Sequence, residues 1–252
     1  MPATGRTFAE LLATELRRNP GRPLLTYYGE ATGERVELSV TTYANWVAKV
    51  ASLLVEEHDL ERGDVLLVDL PPHWLGPVFL GAAWTVGLAV AFPSSEATPS
   101  AVVCGPDALD RWAPRATALP VLACSLLPMG VRFAEPLPAG VHDVGVDVWG
   151  QPDAFTPYDA PTGSDLALVE GGVTQDELFS DSSLQSSTAA GSSDTRTDGG
   201  RLLSTANPAS PPGVAALSRP LVSNGSLVLV TGAEPGRLDA IAEAERVTHR
   251  LG

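Results

Sequence analysis

GDVLLVDLPPHWLGPVFLGAAWTVGLAVAF, residues 63–92, decides the fold. After Gly63-Asp64, VLLVDL is an apolar run without alternation, the pattern of a strand covered on both faces in a parallel sheet. Pro71-Pro72 ends it. Trp74 to Phe92 then carries no charge over about the length that spans a bilayer. Pro77 near the start, Gly87 late in it and the β-rich tail LAVAF instead divide the stretch into a buried helix and a buried strand. The flanks, Asp69 and Glu96, lack the basic anchors of a membrane helix. Residues 65–92 therefore read as a β-α-β unit with a right-handed crossover, and no membrane association is expected.

Working toward the N-terminus, Thr41 or Thr42 starts an amphipathic helix through Tyr43, Trp46, Val47, Val50, Leu53 and Leu54, ending near His58. Before it, Leu24–Tyr28 and Arg35–Val40 alternate around Gly29–Gly33 as a hairpin. Thr7 and Glu10 form a capping box ahead of Phe8, Leu11, Leu12 and Leu16, and Asn19-Pro20-Gly21 stops that helix.

Toward the C-terminus, Ala101–Cys104, a short helix around Ala108–Trp112, and Val121–Cys124 continue the alternation. Residues 128–140 and 150–164 read as loops, with a helix over Val141–Trp149 between them. Leu166–Val169 is a short strand, and Val173–Leu178 begins a helix. Residues 180–200 turn to Ser, Thr, Asp and Gly, either a mobile loop or a frayed helix. Arg201–Thr205, Val214–Val222 and Ser226–Thr231 make a second β-α-β unit, and Gly236–Leu251 reads as a closing helix. The expected class is α/β, mainly parallel sheets with flanking helices, in a single unit over 1–252 made of two tightly joined lobes, about 1–164 and 165–252.

The 252 residues carry a net charge of −14 with no basic stripe, which excludes a nucleic-acid partner. Only one residue, Lys49, is lysine. Met1-Pro2-Ala3-Thr4-Gly5-Arg6 shows no secretory signal, so a cytoplasmic location is expected. Cys104 and Cys124 sit in apolar runs and read as buried free thiols.

Three stretches resemble the AMP-binding, adenylate-forming superfamily of acyl-CoA synthetases, luciferases and nonribosomal adenylation domains. They are TFAELLATELRRNPGRPLLTYYG (7–29), Leu38–Phe92 with Tyr43, Trp46, Gly63, Asp64, Val65, Leu70, Pro71, Gly81, Ala82, Gly87 and Pro93 at matching places, and GRLLSTANPASPPGVAALSRPLVSNGSLVLV (200–230). The resemblance implies the scaffold of the N-terminal part of that enzyme's large domain. It also implies a Ser/Thr/Gly-rich loop ending in Pro-Lys-Gly before the helix near Val173. This chain instead has DLALVEGG (165–172), with no Lys and with Glu170 added. GGVTQDELF (171–179) resembles the text that follows such a loop, so the loop reads as deleted. Where the family has its histidine, NPASPPG (207–213) offers Ala209 or Ser210, and the family's later aspartate and lysine segments find no match here.

No other chemistry stands out. His58, His73, His142 and His249 lie one per segment, without metal spacing, and no GxSxG, GxGxxG or GxxxxGK occurs. Asp143 and Asp147 beside His142 read as a solvated acidic face. Ser204, Ser210 and Ser218 have no local activating partner. Asn224-Gly225-Ser226 reads as a turn. The expected protein is a non-catalytic, adenylation-like binding or interaction scaffold without catalytic, cofactor-binding or metal residues and without a cofactor. It would meet a protein partner, most simply a second copy, through exposed apolar surface. The alternative is an enzyme or a nucleotide- or acyl-binding module whose crevice lies near Pro71–Trp74, Gly171–Thr174 and Ser204–Ser210, all following strands.

Overall fold

A computed structural model describes residues 6–180 and 199–251. The chain alternates helices and strands from the start. Helix α1 (Phe8–Arg18) has both halves of the Thr7/Glu10 capping box and ends at Asn19. Strands β1 (Pro23–Gly29) and β2 (Glu34–Ser39) pair antiparallel as the hairpin, and α2 (Val40–Ser52) follows, capped by Ser39, not Thr41 or Thr42. Next come β3 (Val65–Asp69), α3 (Leu75–Val86), β4 (Ala89–Ala91), β5 (Ala101–Cys104), α4 (Leu109–Trp112) and β6 (Val121–Ala123). The uncharged stretch 74–92 is thus a short helix and a strand. Among the described residues no helix is long and apolar enough to cross a membrane.

The remainder departs from the sequence reading in three places. Residues 141–149 are not one helix: β7 (Val141–Asp143) extends the sheet beside β6 before α5 (Val144–Asp147) begins. The Asp143 carboxylate accepts the Gly145 N–H and so caps the helix three residues later than expected. After β8 (Leu166–Leu168), Val173–Thr174 is strand β9, antiparallel to β8, and Thr174 caps the short helix α6 (Gln175–Phe179). Beyond β10 (Arg201–Ser204), α7 (Val214–Val222) and β11 (Ser226–Thr231), the last helix α8 stops early, at Pro235–Ala244. Arg246 has φ +52, outside the helix, and the chain then adds β12 (His249–Leu251) parallel to β10. The Ser/Thr/Gly segment 180–200 lies, but for its ends, outside the described residues.

Two sheets result, β12-β10-β11-β1-β2 and β7-β6-β5-β3-β4-β8-β9, parallel except for β1–β2 and β8–β9. This is the α/β class with mainly parallel sheets and flanking helices. The sheets do not divide the chain near 164/165: β1 pairs with β11 across some two hundred residues, and β8 pairs with β4.

One continuous core joins α1, α2, α3 and α7 to both sheets. Helix α3 explains the hydropathy of 74–92, because every residue but Thr85 is buried and Thr85 returns its hydroxyl to the Gly81 carbonyl. Gly81 lets three helices meet. A Cβ there would come within 2.6 Å of the Tyr43 hydroxyl, 2.8 Å of the Phe8 ring and 2.9 Å of Val47. Gly81→Ala is therefore expected to cost about 2–3 kcal/mol by overpacking, seen as a fall of roughly 5–10 °C in the thermal midpoint. An unchanged midpoint would show that these helices can separate without penalty.

Candidate functional site

In each sheet one strand has successors that run to opposite sides, which leaves a crevice beyond its C-terminal end. In the larger sheet this strand is β3, flanked by β4 and β5; in the smaller it is β10, flanked by β11 and β12. The two crevices meet. The Asn207 side chain, after β10, donates from Nδ2 to the Leu70 carbonyl, after β3, at 2.8 Å. A Cβ on Gly76 would stand 3.3 Å from the Ala209 Cβ.

The loop after β10 is held by its own polar groups. Asn207 Oδ1 accepts the Ala209 N–H at 3.0 Å, and Ser210 Oγ donates to the Asn207 carbonyl at 2.6 Å. Ser204 Oγ accepts the Ala206 N–H. Ser204 and Ser210 thus shape the loop.

The loop after β3 carries His73 and Trp74, and both are buried. Two strands of the other sheet meet them. Tyr27 on β1 packs its ring on His73 with centroids 5.0 Å apart. Glu34, at the start of β2, brings Oε2 to 3.7 Å from His73 Nε2, and both side chains are at most 5% exposed. Leu75 donates its N–H to His73 Nδ1 at 3.3 Å, which leaves the proton of the neutral ring on Nε2. His73 Nε2, Trp74 Nε1 and Glu34 Oε1 are all buried without a hydrogen-bond partner. Burial pushes the Glu34 carboxyl up, partly offset by the Trp74 indole N–H beside it, and pushes His73 down to about 4. The sequence pointed to His73 and Trp74 from their place after a parallel strand. Glu34 gave no signal, since it looks like any charged residue at a hairpin end.

The third expected segment is not part of this crevice. Gly171–Thr174 belongs to the β8–β9 turn, two strands from β3. Where the family resemblance implies a phosphate loop, β8 and β9 are joined by residues 169–172 alone. Glu170 fills that turn: Oε1 accepts the Phe92 N–H at 3.0 Å and Oε2 is buried without a partner. Several backbone donors there are already used, Val169 N–H to the Val90 carbonyl, Gly172 N–H to the Val169 carbonyl and Thr174 N–H to the Glu177 carboxylate.

The structure also brings together two histidines that sequence spacing kept apart. His58 and His142 rings stand 4.5 Å apart, edge to face, and burial followed by the nearby His142 pushes His58 down to about 4. Asp147 lies close enough to His142 to feel its charge, but burial dominates and raises its carboxyl. Asp143 is spent on the Gly145 and Phe133 N–H groups. Among the described residues no group of three or more His, Cys, Asp or Glu could hold a metal ion. Cys104, at the end of β5, and Cys124, just after β6, are free and buried, with burial raising Cys104 to about 12 and Cys124 also upward, which disfavours the reactive thiolate.

These shifts fix a pH dependence. His58 and His73 stay neutral in the folded chain down to about 4, while in the unfolded chain each charges near 6.5. The unfolded state binds more protons in that window, so stability is expected to fall as pH drops from about 6.5 to about 4, by a few kcal/mol for the pair. Glu34, raised in the fold, contributes with the opposite sign. A plot of thermal midpoint against pH should be shallower for the double variant His58→Asn, His73→Asn. An identical slope would mean that neither imidazole is buried in its neutral form.

No protein-family model matches the chain. Among solved structures, the Brucella canis acyl-CoA synthetase superposes with a TM-score of 0.77 at 19% identity, covering 99% of this chain and 47% of that one. VinN, in complex with 3-methylaspartate, superposes with a TM-score of 0.67 at 15% identity, covering 98% of this chain and 66% of that one. The chain thus spans about half of the synthetase and about two thirds of VinN, and at these identities the likeness is one of fold. A relative of similar length carries more. A TIGR03089 family protein of Mycobacterium tuberculosis (strain ATCC 25618 / H37Rv) is 34% identical over 246 residues, 96% of each chain. Likeness of that strength, sustained over nearly the whole of both chains, makes this protein a member of the TIGR03089 family, on a fold it shares with acyl-CoA synthetases.

Proposed function

We propose that the protein is a non-catalytic relative of the adenylate-forming enzymes that acts as a binding or interaction scaffold. One observation carries this reading: the β8–β9 turn is four residues, 169–172, and its side chain is the buried carboxylate of Glu170. Phosphate cradles combine free backbone N–H groups with a cation. This turn has part of its backbone donors spent, a carboxylate in place, and no lysine, so it would repel the triphosphate that adenylation must hold.

The interaction surface in this reading is apolar. Leu127, Met129, Val131, Val146 and Trp149 are all more than two-fifths exposed. They lie on two adjoining segments, since Gly145 backs onto Val131 and both Gly130 and Trp149 approach Trp46. A second copy of the chain is the simplest occupant, and a sharply monomeric mass at micromolar concentration would remove it.

Loss of adenylation is tested by thermal unfolding with ATP and AMP and by carboxylic-acid-dependent ATP–pyrophosphate exchange. The expected result is no exchange and no shift. A nucleotide at a hundred times its dissociation constant would add about 2.7 kcal/mol, roughly 5–10 °C, and such a shift or any exchange would overturn the reading.

A further inference from the structure

The crevice where the two sheets meet contains an unmet hydrogen-bonding set that the lost phosphate chemistry does not explain. Its members come from two segments: Glu34 from the hairpin, backed by Tyr27 of the same hairpin, and His73 and Trp74 from the loop after β3. Buried polar atoms are rarely left without partners, because each costs the desolvation it has undergone. Here three such atoms share one place: the His73 and Trp74 N–H groups face the Glu34 carboxylate, His73 Nε2 at 3.7 Å, but none closes a hydrogen bond of ordinary geometry.

Their chemistry selects what fits between them. His73 Nε2 and Trp74 Nε1 are donors, and Glu34 Oε1 and Oε2 are acceptors. An anion would meet the Glu34 carboxylate and be repelled. An ammonium ion has no acceptor and would leave both ring N–H groups facing a cation. A hydrocarbon would satisfy none of the three. A hydroxyl group accepts from both N–H groups and donates to the carboxylate, which meets all of them. The neighbouring rings supply flat apolar faces: Trp74 packs edge to face on Trp46 at 5.0 Å, and Trp46 on Trp149 at 5.4 Å, with Trp149 half exposed at the surface.

We propose that Glu34, His73 and Trp74 bind a hydroxyl group of a small neutral polyol or sugar, with the two ring N–H groups donating to its oxygen and its proton directed at Glu34. The assignment stands apart from the loss of adenylation, because none of its three residues belongs to the β8–β9 turn. Water offers the same donors and acceptors, so the experiment must separate the two sources.

The test titrates the full chain with D-glucose and with glycerol, following tryptophan fluorescence and calorimetric heat, with ethylammonium as the charged control. Saturable binding is the readout, since polyols shift thermal midpoints merely by being excluded from protein surfaces. The expected result is saturation with at least one neutral probe and none with ethylammonium. Glu34→Gln, which keeps size and shape, should weaken that binding about tenfold, equivalent to about 1.4 kcal/mol. His73→Asn provides a second variant should Glu34→Gln unfold. Absence of saturation with both neutral probes would leave water as the occupant and overturn the proposal. Binding unaltered in both variants, or saturation by ethylammonium, would overturn it equally.

Discussion

Trp84→Ala is expected to lower stability by about 3–5 kcal/mol, the cost of emptying a fully buried aromatic site. Trp84 is completely buried and holds three parts of the chain at once. Its indole N–H donates to the Ala167 carbonyl on β8 at 2.9 Å, and its ring lies 5.7 Å from Phe8 on α1 and 5.2 Å from Phe179 on α6. Its carbonyl accepts from Gln175 Nε2, while Gln175 Oε1 accepts the Phe8 N–H. Truncation would open a cavity lined by two Phe rings and leave the Ala167 carbonyl unpaired. Urea unfolding should show a lower midpoint with an unchanged slope. Trp84→Phe keeps a ring but loses the donor, so it should cost markedly less. Equal losses in the two variants would assign the stability to the hydrogen bond and not to the packing.

Gly213→Ala should be nearly as damaging, by a different route. The backbone at Gly213 has φ −92, which any residue adopts, so conformational freedom is not at stake. Space is: a Cβ would lie 1.7 Å from the Asn207 carbonyl oxygen and 3.0 Å from Ser210 Oγ. The loop can admit alanine only by moving, which breaks the Ser210–Asn207 bond and pulls Asn207 from the Leu70 carbonyl. A loss of about 3 kcal/mol is expected, at the upper end of overpacking costs. Gly236→Ala is the control, because nothing lies within 4 Å and the position is in the first turn of α8, where alanine is the better helix former. Calorimetry should find Gly213→Ala well below the wild type and Gly236→Ala level with it or above. A wild-type midpoint for Gly213→Ala would mean the loop after β10 is not fixed.

Elements with strong local signals were legible in sequence. The Thr7/Glu10 box, the unbroken VLLVDL run and the Gly29–Gly33 turn act over a few residues, and each forms where its pattern lies. What escaped was decided at a distance. Residues 141–143 and 249–251 are strands because β6 and β10 offer them unpaired edges, and nothing within three residues records that. The site divides in the same way. His73 and Trp74 could be suspected from the strand they follow. Glu34 joins them only because the hairpin, thirty-nine positions before His73, folds over the end of the other sheet. His58 and His142, eighty-four positions apart, had no sequence signal at all.

The pairing of β1 with β11 has a consequence in time. During synthesis the hairpin leaves the ribosome long before Leu227–Thr231, the strand that must lie beside Leu25–Gly29. At roughly 5–20 residues per second, that wait is on the order of ten to forty seconds. The larger sheet needs nothing beyond Thr174 and can assemble in the meantime. Two of the five strands of the smaller sheet must remain soluble as a bare hairpin until their partner strands arrive. The charged alternation of Glu34, Arg35 and Glu37 on its outer strand is well suited to keeping it from the wrong neighbour during that interval.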